Sequence, residues 1–247
     1  MLLEGKNAVV FAASGAIASQ AARRFAGEGA VVWLSARRGD AVKELAEEIN
    51  ASGGQAHAQE VDALSPEAVE AYLETAAASV DIVFNGIGVA PSEMGFPAKS
   101  HDQDLDAFLY PMRLIVGSQF LTTREAAKHM SQRGTGSIIT ISSALTTLSI
   151  PYQAGVCAAS AAVESMTRSL AAEFGSSGVR INCVRGSAMP ETRTIQETRA
   201  GHVRLGTKSA LASNSLGRPL TVDDTAGAVT FLASSLSAGL CGQVLAL

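Results

Sequence analysis

The chain has 247 residues, of which 47% are hydrophobic, 5% aromatic and 17% charged, with a formal net charge of −4. That balance excludes the basic footprint of a nucleic-acid binder and the charge density of a disordered chain, while the length suits a single domain over 1–247 with a sizeable core. Alanine occurs 43 times, so the core is expected to be filled by small and aliphatic side chains that let its elements pack closely.

In chain order, Ala8–Phe11 is a short apolar run that predicts a strand, and Ile17 to Glu28 an amphipathic helix closed by Gly29. Val31–Leu34 predicts a second strand, and Asp40 to Asn50 a helix with Asp40 placed to cap its start. Ala56–Val61 reads as a third strand, and Ser65-Pro66 as the N-cap and first residue of the next helix. Asp81–Phe84 is a fourth strand, Leu105 to Met130 one long helical stretch for which Asp102 and Asp104 serve as caps, and Ser137–Ile141 a fifth strand. Val156, Val163, Met166, Leu170 and Phe174 keep one apolar face at helical period, and Val179–Val184 is a sixth strand. The polar segment 186–215 has no decisive period. A helix from Val222 to Ser234 and a strand near Gln243–Leu245 end the pattern.

Three cysteines (Cys157, Cys183 and Cys241) are too few for a disulfide scaffold, and the histidines show no ligand spacing, so no metal is expected. No basic flank with an apolar run marks a signal peptide. No apolar run approaches the roughly 20 residues of a membrane helix. A cytoplasmic protein without membrane or nucleic-acid partners is expected.

Strand–helix alternation of this kind predicts an α/β fold: a doubly wound parallel sheet of about seven strands with helices on both faces. Ligands of such sheets bind beyond the carboxyl ends of the strands, which directs attention to the residues just after Phe11, Leu34, Val61, Phe84, Ile141 and Val184.

The stretches Ala22–Ala30, Val61-Asp62, Asp81–Gly88, Gly136–Ser143, Val163–Asn182, Gly217–Pro219 and Phe231–Ser234, in their order and spacing, resemble the short-chain dehydrogenase/reductase family over nearly the whole chain. The resemblance implies a single Rossmann-like domain, NAD(P) dependence and a homodimer or homotetramer. The family's nucleotide loop, Thr-Gly-x-x-x-Gly-x-Gly, falls on Phe11–Ala18, where Ala12, Ala16 and Ala18 stand in place of its glycines. Those glycines serve the tight turn, the approach to pyrophosphate and helix–strand packing. Their loss predicts weak or no nicotinamide binding, with Ser14, Gly15 and Ile17 left to form a different loop on the same helix N-terminus. Arg37 and Arg38 follow the second strand, where guanidinium groups suit the 2′-phosphate of NADP(H) or lie as ordinary solvated charges before a helix. Asp62 matches the family aspartate near the adenine. Asn85 and Gly88 keep two positions of the family's Asn-Asn-Ala-Gly turn, from which Gly86 and Ile87 depart; Asn85, at a cofactor-binding position of the family, reads also as a structural tie between adjacent strands.

The family's catalytic serine falls on Ser143, but its Tyr-x-x-x-Lys pair falls on Val156 and Ser160, and its asparagine near Ile115. Valine cannot move a proton, and serine cannot supply the lysine's charge. Tyr152 is the nearest tyrosine and reads both as a packing residue at a helix start and as a displaced proton donor. Arg185, at the end of the sixth strand, is placed to meet an anion or to lie as a surface charge. Cys157 reads as a small buried hydrophobe rather than a nucleophile. These replacements point to an atypical enzyme of a small, anionic molecule acting through Ser143, Tyr152 and Arg185 without redox chemistry, as a lyase, isomerase or cyclase would. The alternatives are a divergent NADP(H)-dependent oxidoreductase with relocated catalytic groups, and a non-catalytic binding or partner subunit. The segment 186–215, with Arg193, Arg199, Arg204 and Lys208 against Glu191 and Glu197, is expected to be a lid over the substrate.

Overall fold

The structure is a computed structural model and describes residues 1–76, 79–148, 150–207 and 215–247. Lys208 and the rest of 208–214 within the expected lid therefore lie outside the described residues.

Seven strands form one sheet in the order β3-β2-β1-β4-β5-β6-β7: β1 (Asn7–Phe11), β2 (Val31–Ala36), β3 (Gln55–Glu60), β4 (Ile82–Asn85), β5 (Gly136–Ser143), β6 (Val179–Gly186) and β7 (Val244–Ala246). Every neighbouring pair is parallel; Val9 of β1, for instance, lies between Trp33 of β2 and Val83 of β4. The order reverses between β1 and β4, which opens a crevice at the carboxyl ends of these strands.

Because both faces of a parallel sheet are covered, its strands read as unbroken apolar runs whose side chains still alternate in space. Ala8 and Val10 of β1 and Val32 and Leu34 of β2 join one core cluster with α1 (Ala16–Gly27), α2 (Gly39–Ala51) and α8 (Val222–Ala233). Val9 and Phe11 join the other, with α3 (Pro66–Thr75), α5 (Ser118–Arg133) and α6 (Ala154–Phe174). The alanines do what their number suggests: Ala18, Ala21 and Ala22 of α1 and Ala226 and Ala233 of α8 are all buried in the first cluster.

Several local signals act as read. Ser65 accepts from the Ala68 N–H at 3.2 Å and Asp104 from the Ala107 N–H at 2.7 Å, each at an N-cap. Asp40 does not cap α2; the N-cap is Arg38, and Asp40 lies in the first turn, where its charge still suits the helix dipole. The expected continuous helix over Leu105 to Met130 is α4 (Leu105–Pro111), a π-helical turn (Met112–Gly117) and then α5. Pro111 brings no N–H to the ladder. The Ser118 hydroxyl turns back to the Leu114 carbonyl and, at 3.4 Å, to that of Ile115. The segment 186–215 contains α7 (Arg193–Arg204).

The bend from β1 into α1 is the tightest feature of the carboxyl edge. Ala12 sits at φ 55, in the left-handed region, which costs a residue with a Cβ about 1–2 kcal/mol. Its carbonyl accepts from the Gly15 N–H at 2.9 Å, and Gly15 is the N-cap of α1. Ala18 packs against the β4 side of the bend at Gly86, where an added Cβ would lie 2.5 Å from the Ala18 Cβ. Gly86, without a Cβ, therefore leaves room for the methyl group of Ala18.

Two stability measurements follow. Ala12→Gly removes the left-handed strain but loosens the unfolded chain by about 0.4–1 kcal/mol; the expected net gain of about 0.5–1 kcal/mol is a Tm rise of about 2 °C. Gly86→Ala is expected to cost about 1–3 kcal/mol through overpacking, most of it restored by adding Ala18→Gly, as read from denaturant midpoints. Losses that merely add would show that the two positions do not make this contact.

Candidate active site

A cleft of about 1100 Å³ runs along the carboxyl edge of the sheet. At one end it is bordered by the β1–α1 bend, the residues after β2 and those after β3; at the other by the π turn, the residues after β5, the start of α6 and the segment after β6. Ser14, Gly15, Ile17, Arg37, Arg38, Asp62, Gly88 and Ser143 all line it, while Asn85, Tyr152 and Arg185 do not.

At the first end no side chain caps α1, so the N–H groups of its first turn are left open where Gly15, Ala16 and Ile17 border the cleft. Arg37 and Arg38 extend into solvent from the end of β2. Arg37 reaches Glu93 at 3.8 Å, a long contact between side chains that are 59% and 39% exposed; such a pair is weak. Arg38 has no ion pair among the described residues. Asp62 accepts from the Leu64 N–H at 3.0 Å, which fixes the loop after β3.

At the other end, Ser143 closes β5 and accepts from the Leu145 N–H at 3.3 Å. Gln153 at the N-cap of α6 and Val156 and Ser160 within it line the cleft, with Ile115 of the π turn and Ser118 at the start of α5. Among the described lining residues the ionisable side chains are Arg37, Arg38, Asp62, Glu93 and Arg193; none is a tyrosine, lysine, histidine or cysteine.

Arg185 is not free to meet an anion. Its guanidinium closes on Glu164 of α6 in a two-pronged pair, Nε to Oε1 at 2.8 Å and Nη2 to Oε2 at 2.8 Å. The same carboxylate accepts from the Ser142 hydroxyl at 2.8 Å and the Thr146 hydroxyl at 3.2 Å. Burial alone would push the Glu164 carboxyl up; the hydrogen bonds from Arg185, Ser142 and Thr146 outweigh it and hold the group below the usual carboxylate range. The cluster ties β5, its following turn, α6 and β6 together directly behind Ser143.

Asn85, expected beside a cofactor, is fully buried instead. It donates to Thr123 at 3.1 Å and accepts from Thr122 at 2.6 Å, so it locks β4 to α5. Tyr152 has φ 65 and packs its ring against the cluster under the cleft, 6.3 Å from the His202 ring. Cys157 is half-buried, and burial pushes its thiol up, against the thiolate form that a nucleophile needs.

Glu164, Gln153 and Glu93 were not singled out by sequence. The one available signal was Glu164, a carboxylate beside Val163 on a stripe otherwise apolar or small.

A family model described as enoyl-(acyl carrier protein) reductase matches residues 11–247. A 7α-hydroxysteroid dehydrogenase of Clostridium sardiniense is 28% identical over 252 residues, spanning 98% of this chain and 91% of its own. A protein of Xanthobacter autotrophicus named inactive 2-(S)-hydroxypropyl-CoM dehydrogenase 2 is 31% identical over 225 residues, spanning 88% and 93%. The solved structure of a 7α-hydroxysteroid dehydrogenase complexed with NADH and 7-oxo glycochenodeoxycholic acid superposes with a TM-score of 0.88 at 27% identity, over 99% of this chain and 93% of that one. These matches overturn the expectation of a lyase, isomerase or cyclase: nearly the whole chain aligns with proteins named for dehydrogenation.

The buried cluster makes a pH-dependent prediction. Arg185→Leu leaves Glu164 buried without its counter-charge and is expected to cost about 3 kcal/mol at pH 7. With the pair intact, the depressed carboxyl contributes stability that is present above its unfolded pKa and lost as pH falls through the folded one. In the variant the carboxyl rises instead, so the deficit against the unsubstituted protein shrinks as pH is lowered into the acid range. Thermal unfolding of both proteins across pH 4–8 reads the difference; a deficit independent of pH would contradict it.

Proposed function

Since the chain belongs to the short-chain dehydrogenase/reductase family, we propose that it is an NADP(H)-dependent oxidoreductase of a small molecule whose polar groups at the reacting end differ from the family's Tyr–Lys pair. The observation that carries this reading is the arginine pair, Arg37 and Arg38, on the rim of the same cleft as the uncapped start of α1. Two guanidinium groups beside a helix N-terminus suit a dinucleotide with an additional phosphate.

The residues present fit such a cofactor. The bend is formed despite its alanines, and a Cβ at Gly15 would press to 3.3 Å from the Ala12 carbonyl, so the glycine that remains is the one the turn needs. Ala16 presents a methyl group to the cleft where the family carries glycine, which leaves phosphate contact to Ser14, Gly15 and the Ile17 N–H. Arg37 and Arg38 would hold the 2′-phosphate, and Asp62 would border the adenine. When bound, the nicotinamide supplies or accepts a hydride.

The chain's own groups do the rest. Ser143 donates its hydroxyl hydrogen to the substrate oxygen. Ser160, at the family's lysine position, offers a second hydroxyl, and neither ionises near neutral pH, so the proton that reaches that oxygen comes from solvent water through them. Val156 keeps its part of the wall dry. Glu164 and Arg185 hold the Ser142-Ser143 turn in place. The described part of the segment after β6 acts as the lid: Arg193, Thr194, Ile195 and Thr198 face the cleft. Glu197 of α7 accepts from the Ser92 hydroxyl at 3.1 Å across its mouth.

A second reading, a nucleotide-binding subunit without turnover, is favoured by the absence of a tyrosine or lysine from the described lining residues. One titration followed by one assay separates the two. NADPH and NADH are titrated into the purified protein and into the Arg37→Ala/Arg38→Ala double variant. The double variant is expected to bind NADPH about 10–100-fold more weakly, the worth of one or two charge-assisted hydrogen bonds, with NADH affinity little changed. Failure of the unsubstituted protein to bind either nucleotide would sink the proposal. Binding without nucleotide oxidation across a panel of ketones would leave the subunit reading.

A further inference from the structure

We propose that the Gln153 carboxamide is the group that binds the oxygen of the substrate, and that the substrate is an uncharged, largely apolar molecule. The proposal rests on reading the cleft as the reaction site, and it adds a residue and a substrate class to that reading.

Gln153 is 7% exposed, and its Nε2 is buried without a hydrogen-bond partner. Buried amide groups are nearly always paired, and an unpaired one needs an explanation. Among the described residues the other buried side-chain atoms in this condition belong to Ser35, Tyr72, Glu125, His129, Ser131 and His202. Of these only Ser35 lines the cleft, at its nucleotide end. Gln153 therefore holds the one orphaned buried polar atom of the reacting end among the described residues.

The backbone supports a placed rather than accidental side chain. Gln153 is the N-cap of α6, and the residue before it, Tyr152, has φ 65, a conformation that side chains with a Cβ rarely adopt. Strained backbone of this kind gathers at functional sites. The Tyr152 ring is packed in the cluster below, so the turn is held and the next side chain is delivered to the cleft. Gln153, Val156 and Ser160 are spaced three and four residues apart, and all three border the cleft from one face of the helix. The amide thus precedes by one turn the valine that occupies the family's tyrosine position.

A carboxamide carries both a donor and an acceptor and can present either. It donates to a carbonyl oxygen and accepts from a hydroxyl, so it serves both oxidation states of one oxygen. It brings no charge. The wall around it is apolar, with Met94, Leu114, Ile115, Leu148 and Met189. Arg185, the cation expected to meet an anion, is engaged on Glu164, and Arg193 at the edge of the cleft carries an exposed contact to Glu197 at 3.5 Å. The expected anionic ligand gives way to a neutral one.

The test uses Gln153→Leu, a near-isosteric change that removes the orphan. A side chain kept for ligand binding predicts that Tm stays level or rises by about 2–4 °C, since an unsatisfied polar group is lost. The probe is 2-decalone, an uncharged bicyclic ketone, measured calorimetrically with and without saturating NADPH; pyruvate is the charged comparison. The unsubstituted protein is expected to bind 2-decalone and not pyruvate, and the variant to bind 2-decalone about 10-fold more weakly with its NADPH affinity unchanged. A fall in Tm of several degrees, equal 2-decalone affinity in both proteins, no 2-decalone binding by either, or tighter binding of pyruvate each overturns the proposal. A protein that binds 2-decalone through Gln153 but no NADPH would fail the oxidoreductase reading while keeping this one.

Discussion

The approach of α1 to β4 at the head of the cleft is the contact on which the carboxyl edge depends. A parallel sheet offers a ligand only the ends of its strands, and the crevice between β1 and β4 exists only if the chain leaves β1, reverses within a few residues and lays a helix against the neighbouring strand. Glycine usually makes this possible by removing the Cβ on the helix side. Here the clearance is moved across the contact: Ala18 keeps its methyl and Gly86 gives up its own. The clearance at this contact belongs to the pair.

A similar displacement operates at the other end. The family's usual apparatus places a lysine charge beside a tyrosine. In this chain the nearest cation, Arg185, is turned onto Glu164, and the pair faces the back of the Ser142-Ser143 turn rather than the ligand. A buried ion pair of this kind adds little to stability over a well-packed apolar pair, yet is costly to break from one side. Its effect here is positional: one carboxylate on α6 gathers two hydroxyls and a guanidinium from three other segments. This end of the cleft is lined by hydroxyls, one amide and aliphatic groups, with Arg193 of α7 as its one described ionisable side chain from the segment after β6.

The sheet was legible because parallel strands buried on both faces leave unbroken apolar runs, and the runs ending at Phe11, Phe84 and Val184 fall in strands of the sheet. The π turn was not legible, since hydrophobic residues continue through Met112–Gly117 and only the pairing of carbonyls reveals the extra residue. α7 escaped notice for a different reason. Its buried residues are Thr198, Gly201 and His202, small or polar groups that leave no apolar stripe to count. At the site, residues next to strand ends could be found by position along the chain, which is why Ser14, Arg37, Arg38, Asp62 and Ser143 all border the cleft. Arg185 was misread because its partner is 21 residues away on another element. Gln153 carries no motif; its meaning appears only when burial and hydrogen bonding are known together.

Among the described residues, two with a Cβ occupy the left-handed region, Ala12 and Tyr152. They stand at opposite ends of one cleft. Ala12 opens the bend that brings α1's N-terminus to the strand ends, and Tyr152 opens the helix that brings Gln153, Val156 and Ser160 to the reacting end. Each side chain also packs: Ala12 against the cluster that includes Val9 and Phe11, and the Tyr152 ring against the one that includes Cys183. Strain kept at the two places where a helix is delivered to the cleft is what a binding requirement would produce.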